Sequence, residues 1–510
     1  MLRGFALLLV LTLGACAQLQ PRALLPADFA TPAATTAPLD REFAAGEAAH
    51  PGQSAFRLLV DGTDAFAARL QSARLAERSL DVQTYIWHAD LTGRLLAHEL
   101  LEAADRGVRV RLLVDDMDAR DRSASFAALA AHPNIDVRVF NPFASRRGTL
   151  SMVSEVARNF RRINRRMHNK TWIADNRVAI VGGRNLGDEY FGASEDVNFV
   201  DLDFAMVGPV VRDASTSFDR YWNSPSAYPI ELLDGEFVSD AALARLRERL
   251  AAYSRDDAGT PYAKALREGA APQSLEQGNW SLEWARAYRF VADDPAKVTM
   301  KRRDERRAAM AAALLPVTQE SRTNLRIISP YFVPGDRGSK LLVGVAQAGS
   351  SVGVLTNSLA ANDVAAVHGG YEQYRRRLLA GGVQLWELKP LASGPAENAS
   401  LFGSSGASLH TKAFSVDDRQ LFVGSYNLDP RSTWLNCEQG VLVDAPALAI
   451  QFRAIFDAET LGQRAWHVTR SAGGLHWSDG RQTVDSEPQA SLSRRFQAWL
   501  ARILRLDAQL

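Results

Sequence analysis

The sequence predicts an α/β protein of two duplicated halves, each an α/β sandwich, paired about a pseudo-two-fold axis with the active site between them. Three observations carry that reading. One pattern occurs twice, as His168-Asn-Lys170…Asp175…Gly182-Gly183-Arg-Asn185 and as His410-Thr-Lys412…Asp417…Gly424-Ser425-Tyr-Asn427, with equal spacing throughout. Around each copy, strand-like and helix-like stretches alternate in the same order, the signature of an α/β layer. Val110-Arg-Leu-Leu-Val114 and Val352-Gly-Val-Leu-Thr356 stand 242 residues apart, as do His168 and His410, so strands, helices and motif are duplicated together.

Residues 1–15 read as a signal peptide. Arg3 precedes an apolar run from Phe5 to Leu13, too short to stay as a membrane span, and Leu13-Gly14-Ala15-Cys16 resembles a bacterial lipoprotein signal whose cysteine carries lipid. An ordinary signal cut after Ala17 is the alternative. Residues 16–54 are rich in Ala, Pro and Thr without sustained periodicity and read as a tether. The first half, 55–215, opens with a strand over Leu80 to Trp87. A helix follows from Gly93 to Ala104, stopped near Gly107, then a strand from Val108 to Val114, a helix near Ser123 to Ala131 and a strand from Ile135 to Phe140. The second half, 321–470, repeats this with strand Leu325 to Phe332, a helix ending near Gly349, strand Val352 to Thr356, helix Tyr371 to Leu379 and strand Val383 to Leu388. Between them, residues 216–320 have no counterpart and carry charge runs such as Lys301 to Arg307; they read as a largely helical insertion or linker. Residues 471–510 form a tail.

The duplicated motif implies phosphoryl chemistry. Along an extended H-x-K segment, residues i and i+2 face one way, so imidazole and ammonium point together. The Gly pair permits a tight turn, and the amides of Asn185 and Asn427 can donate to an anionic oxygen without adding charge. Two facing halves would surround a phosphodiester with two His, two Lys and two Asn. A phosphoryl centre needs positioning and charge stabilisation, which two lysines supply without a metal. One His attacks phosphorus while the other protonates the leaving oxygen and then activates the second acceptor. Each imidazole needs an acidic partner: Glu438 suits the second half, and Asp201, with Asp203 second, the first. Asp175 and Asp417 read as site residues that hold the motif together. No His-x-His, His-x3-His or Cys pair with ligand spacing occurs, so neither a metal nor a cofactor is expected.

At these residues the chain resembles the phospholipase D superfamily, and within it the bacterial cardiolipin synthases of C type. The phrases Arg-Arg-Met-His168-Asn-Lys, Val-Gly-Gly-Arg-Asn185-Leu-Gly-Asp-Glu-Tyr-Phe, Asn-Ser-Leu-Ala-Ala-Asn-Asp363-Val and Asn-Leu-Asp-Pro-Arg-Ser432-Thr carry the resemblance, over about residues 55–470. It implies a pseudo-dimer, a covalent phosphohistidine at His168, His410 as acid and base, and no metal cofactor. Gly183 stands where many members have Ser, so a hydroxyl contact to substrate, expected at Ser425, has no counterpart in the first half.

The implied function is a phosphatidyltransferase that makes cardiolipin, with phospholipids such as phosphatidylglycerol and phosphatidylethanolamine, and the membrane surface, as partners. Hydrolysis to phosphatidic acid, a nuclease of the same chemistry and an inactive membrane scaffold are the alternatives, and an accessory protein stays open. A formal net charge of +1 on 510 residues disfavours a general nucleic-acid binder. The export signal places the chain in the cell envelope, lipid-anchored and facing the periplasm, with Ala17 after Cys16 favouring the outer membrane. Two basic stretches bear on lipid: Arg158, Arg161, Arg162, Arg165 and Arg166 before His168, and a C-terminal stripe of Leu492, Phe496, Trp499, Leu500, Ile503 and Leu504 flanked by Arg494, Arg495, Arg502 and Arg505. That stripe reads either as an interfacial helix or as a helix docked by its apolar face on the core. Tyr85, Trp87, Tyr331 and Phe332 are expected to line the cleft, or else to be core.

Overall fold

The computed structural model describes residues 19, 22, 25–146, 149–257, 259–267, 275, 278–300, 308–362, 364–390 and 409–503. Cys16, the Lys301 to Arg307 run, Asp363, Leu504 and Arg505 lie outside them.

Among the described residues, two mixed sheets carry the fold. The first contains β1 (Ser54–Leu59), β2 (Ser79–Thr84), β3 (Arg109–Asp115), β4 (Ile135–Phe140), β5 (Thr171–Ala174), β6 (Val178–Gly182), β7 (Asp203–Val207), β8 (Ala227–Pro229) and β9 (Glu283–Ala285), in the order β8-β4-β3-β2-β5-β6-β7-β1-β9. The second contains β10 (Tyr288–Ala292), β11 (Asn324–Ile328), β12 (Ser351–Asn357), β13 (Gln384–Leu388), β14 (Ala413–Val416), β15 (Gln420–Gly424), β16 (Gln439–Asp444), β17 (Ala465–Ser471), β18 (Gly474–Ser478) and β19 (Thr483–Val484), in the order β10-β16-β15-β14-β11-β12-β13-β17-β18-β19. The duplication is visible strand by strand. β2-β3-β4 and β11-β12-β13 are parallel, with Leu80 opposite Val110 and Leu325 opposite Val352, while β5-β6-β7 and β14-β15-β16 are antiparallel meanders.

The two sheets share one central core. Phe56, Ile173, Val181, Phe204 and Met206 of the first pack into the same buried cluster as Ile328, Leu355, Val423, Val441 and Val443 of the second. These near-continuous apolar strands are buried on both faces, as a sheet covered on each side requires. Helix boundaries follow local chemistry. The helix Leu91–Asp105 starts where the Asp90 carboxylate accepts from Gly93 N (3.0 Å), and past its end Gly107 takes a left-handed φ of 93°.

Three parts differ from expectation. Residues 25–49 do not run free: the helix Pro38–Ala49 buries Leu39 and Phe43, Asp40 accepts from Arg78 (2.7 Å), and Asp28 accepts from Trp222 Nε1 (3.0 Å). Ala-rich sequence hides such docking, because a few well-placed apolar and charged groups suffice. The segment between the halves supplies edge strands to both sheets, β8 and β9 to the first and β10 to the second, beside its helices. And each H-x-K triplet precedes its strand, since β5 opens at Thr171 and β14 at Ala413. No described helix is long and apolar enough to cross a membrane.

Candidate active site

Each H-x-K triplet is held by the opposite half. His168 N donates to Cys437 O (2.8 Å) and Cys437 N to Arg166 O (2.8 Å); His410 N and Thr411 N donate to Val200 O (2.9 and 3.0 Å). These cross-links occupy the backbone that a regular strand would have used, and they carry the side chains into the space between the sheets.

The carboxylates pair across the halves. His168 Nδ1 lies 2.9 Å from Glu438 Oε2, and His410 Nδ1 lies 2.6 Å from Asp201 Oδ2. The expectation that each carboxylate serves the imidazole of its own half is therefore corrected: Glu438 belongs to His168 and Asp201 to His410. A pseudo-two-fold axis through the site brings the start of β16 to the first motif and the approach to β7 to the second. Asp203 turns away and accepts from Arg69 (3.0 Å) and Arg184 N (3.2 Å). With Nδ1–H donated to a carboxylate, each ring keeps its Nε2 lone pair for chemistry.

Lys170 and Lys412 are buried and each donates its ammonium to the carbonyl of its own motif histidine, Lys170 Nζ to His168 O at 2.6 Å. Burial lowers the Lys170 ammonium to about 7, with Lys412 adding repulsion that Glu438 opposes. Burial likewise pushes the His168 imidazolium down to about 4 against the pull of Glu438, and His410 is depressed by burial and by Lys412, Lys170 and His168. So both rings rest neutral beside two buried lysines in a desolvated site. Glu438 is pushed up by burial but held below its usual range by His168 and Lys170.

Ser425 does not face substrate as expected. Its hydroxyl donates to Glu438 Oε2 (2.5 Å) and accepts from Gln439 N (3.1 Å), so it braces the carboxylate behind His168. At Gly183 a Cβ would meet Asp201 Oδ1 at 2.1 Å; the carboxylate itself occupies the space a serine would need, and it accepts from Leu202 N (2.8 Å). Asn185 Nδ2 donates to Tyr190 OH (2.9 Å), while the buried amide oxygens of Asn185 and Asn427 have no partner among the described residues.

Asp175 and Asp417 act on the backbone. Both sit in left-handed turns with φ of 52° and 55°, between β5 and β6 and between β14 and β15. Asp175 accepts from the amides of Glu77, Arg78 and Ser79; Asp417 accepts from those of Arg322, Thr323 and Asn324. Each ties its hairpin to the strand beside it.

Several contributors escaped sequence reasoning. Tyr190 and Phe199 ring His410, with centroids 5.1 and 5.5 Å away, while Tyr85, which the sequence did place at the cleft, flanks His168 at 5.0 Å. Asp115 accepts from Met167 N (2.8 Å) and Arg166 (3.1 Å), so Arg166 is a buried strut and not part of a surface patch. Asp293 accepts from Glu438 N (3.1 Å) and Lys297 (2.7 Å), which ties the inter-half segment to the site. A lone Asp in a linker gives no signal of this kind. Trp87 and Phe332 are core, with Trp87 Nε1 donating to Gly93 O (3.0 Å). Among the described residues, two clusters elsewhere bring three ligand-type atoms together, His88, Asp90 and Glu189, and His368, Glu387 and Glu487; the second is already bridged by Arg375, which donates to Glu487 (2.6 Å) and lies 3.5 Å from Glu387.

Two H-x-K triplets with crossed His–carboxylate pairs between twin α/β sheets define a phospholipase D-like phosphodiester-transfer protein. The family described as "Cardiolipin synthase, PLD-like domain" matches residues 67–222 and 314–460, and the chain belongs to it. It is 40% identical to cardiolipin synthase C of Escherichia coli (strain K12) over 90% of this chain and 96% of that one. It is 25% identical to cardiolipin synthase A of Pseudomonas syringae pv. syringae (strain B728a) over 79% of this chain and 68% of that protein. The crystal structure of phosphatidylserine synthase from Haemophilus influenzae Rd KW20 shares the fold, with a TM-score of 0.56 at 13% identity, covering 92% of this chain and 98% of that one.

Proposed function

We propose that the chain is a phosphatidyltransferase that forms cardiolipin through a covalent phosphohistidine. The observation that carries this is the pair of neutral, carboxylate-oriented imidazoles set beside two buried lysines. A phosphodiester entering this space brings negative charge, which stabilises both ammonium groups and raises the imidazole pKa values, so that His410 takes up a proton at Nε2 while His168 keeps its lone pair. His168 Nε2 then attacks phosphorus, and the P–O bond to the leaving alcohol breaks as His410 Nε2–H delivers its proton to that oxygen. Glu438, fixed by Ser425 and held anionic, balances the cationic phosphoimidazole. In the second step His410 takes the proton of the acceptor hydroxyl, whose oxygen attacks phosphorus and releases His168. Lys170, Lys412 and the amides of Asn185 and Asn427 hold the equatorial oxygens through both steps.

A synthase must keep water from discharging the intermediate, and the rings of Tyr85, Tyr190 and Phe199 around the imidazoles support an acceptor other than water. The donor and acceptor are read as phosphatidylglycerol or phosphatidylethanolamine, and Cys16 as the lipid attachment that keeps the protein at the periplasmic face of the outer membrane. Purified protein in mixed vesicles of these lipids, with excess chelator, is expected to make cardiolipin in preference to phosphatidic acid. Phosphatidic acid as the main product would turn the reading to a hydrolase, DNA cleavage without lipid turnover would overturn it, and activity restored by a divalent ion would add a metal to the mechanism.

A further inference from the structure

The C-terminal helix Leu492–Ile503 docks with the wrong face for a core helix. It sits on the second half through Arg494, Ala498 and Ala501, which are buried. Arg494 donates to the carbonyls of Leu359 (3.2 Å) and Asn362, and the backbone of Ala498 passes so close to Gly369 that a Cβ there would meet Ala498 O at 2.3 Å. The aromatic stripe consequently points outward: Leu492 is 85% exposed, Phe496 59%, Trp499 45% and Ile503 55%, with the Phe496 and Trp499 rings stacked 5.6 Å apart. An ordinary amphipathic helix would bury these residues and expose its arginines.

The place of this helix in the fold is informative. The Leu359–Asn362 loop continues β12, whose last residue, Asn357, donates to Leu409 O (3.2 Å), the carbonyl just before His410. The stripe thus rides on the outside of a wall of the cleft. In the other half, Thr149–Ile163, two helical pieces that meet at a kink at Asn159, runs into Arg166 and His168 and exposes Val153 (62%) before the kink and Phe160 (49%) after it. Charge points to the occupant. The C-terminal helix has no carboxylate; of its three arginines, Arg494 and Arg495 donate to backbone carbonyls and Arg502 is exposed at its flank, 3.8 Å from Glu372 on the neighbouring helix; Arg158 and Arg161 are exposed on Thr149–Ile163, whose carboxylate, Glu155, is buried. Exposed Trp, Phe and Leu beside arginine match the interface of an anionic phospholipid bilayer.

We propose that the C-terminal helix is an interfacial anchor that lays Phe496, Trp499 and Ile503 into the headgroup and upper acyl region of an anionic bilayer and, together with Val153 and Phe160, sets the cleft against the lipid surface. This rests on the phosphatidyltransferase reading for its purpose, but its test does not depend on activity. In a full-length Cys16→Ser background, Phe496→Cys is the accessible thiol, since Cys437 is fully buried; it is labelled with an environment-sensitive dye and mixed with phosphatidylglycerol–phosphatidylethanolamine vesicles. The dye emission is expected to shift to the blue, rise severalfold and be quenched by shallow spin-labelled lipid. Unchanged emission on vesicles overturns the proposal. So does emission already blue before lipid is added, which means another part of the chain covers the stripe, or a change that follows protein concentration instead of lipid, which means a second copy does.

A second arm reads function. In the parent chain, the double substitution Phe496→Asp, Trp499→Asp is expected to lower turnover of vesicle lipid at least tenfold while leaving turnover of a monomeric short-chain phosphatidylglycerol and the melting temperature unchanged. Equal loss on both substrates, or no loss on vesicles, overturns the anchoring role. A parent that turns over neither substrate while the dye still inserts defeats the phosphatidyltransferase reading alone.

Discussion

His168 and His410 each give Nδ1 to a carboxylate of the other half, and that exchange has kinetic consequences. Glu438 serves the attacking ring and Asp201 the proton donor, so a donor lipid with a p-nitrophenyl leaving group, which needs no proton, separates them. With it, His410→Ala and Asp201→Asn are expected to regain formation of the phosphohistidine, trapped by acid quench, whereas Glu438→Gln stays slower by roughly 10²–10⁴-fold and His168→Ala forms none. Rescue of Glu438→Gln would mean that the pairing runs the other way. With the same donor lipid, whose leaving group needs no proton from His410, the pH profile of kcat/KM follows from the other groups of the free enzyme. The nucleophile must be neutral, so activity falls as pH drops through the His168 value of about 4; Lys170 must be charged, so activity falls as pH rises through about 7. Lys170→Arg, which stays protonated, is expected to move the upper limb alkaline even where it lowers the maximum; an unmoved limb would assign it to another group. Gly183→Ser places a side chain on Asp201, 2.1 Å from Oδ1 for its Cβ alone, and is expected to cost about 1–3 kcal/mol in stability and to impair the His410 half-reaction.

The hairpins that present the motifs are fixed by their turns. Asp417 in the β14–β15 turn has φ of 55° and receives three backbone amides as well as Thr323 Oγ1 (2.9 Å), and these bonds hold its carboxyl below the usual range despite partial burial. Asp417→Ala loses the acceptor and places a poorly suited residue in the left-handed region, at an expected cost of about 2–4 kcal/mol in urea unfolding. Asp417→Asn keeps the turn conformation and one acceptor oxygen and is expected to cost less than half as much; equal costs would show that charge, not geometry, carries the role. Asp175 and Asp417, read from the sequence as site residues that hold the motif together, accept from the backbone of the neighbouring strand's approach. Element types were also legible, since apolar strands bounded by Gly turns leave little choice. The start of β5 and β14 was not, because His168 and His410 give their amides to Cys437 and Val200, residues remote in sequence.

At the scale of the whole molecule, the shared core makes the halves one unit. Val181 and Phe204 of one sheet and Val423 and Val441 of the other lie in the same buried cluster, and the imidazole of each half is oriented by the other. Both histidines must therefore sit in one chain. Mixing His168→Ala with His410→Ala protein is expected to restore no activity, before or after incubation; recovery approaching a quarter of the parental rate would show that halves exchange between chains.

The duplication, the alternating periodicity and the spacing of His, Lys, Asp and Asn were enough, without coordinates, to define twin α/β halves and to single out the His and Lys side chains that the structure brings together between them. Those properties are written in local patterns, in chain order and in chemistry that few residue types can perform. Partner choice was not. That Glu438 meets His168 and Asp201 meets His410, that Ser425 braces a carboxylate, that Asp293 reaches in from the linker and that the C-terminal helix turns its aromatic face outward all depend on which surfaces meet when two sheets close on a common core. A pseudo-symmetric sequence is equally compatible with pairing within a half or between halves, and packing across the axis breaks that tie.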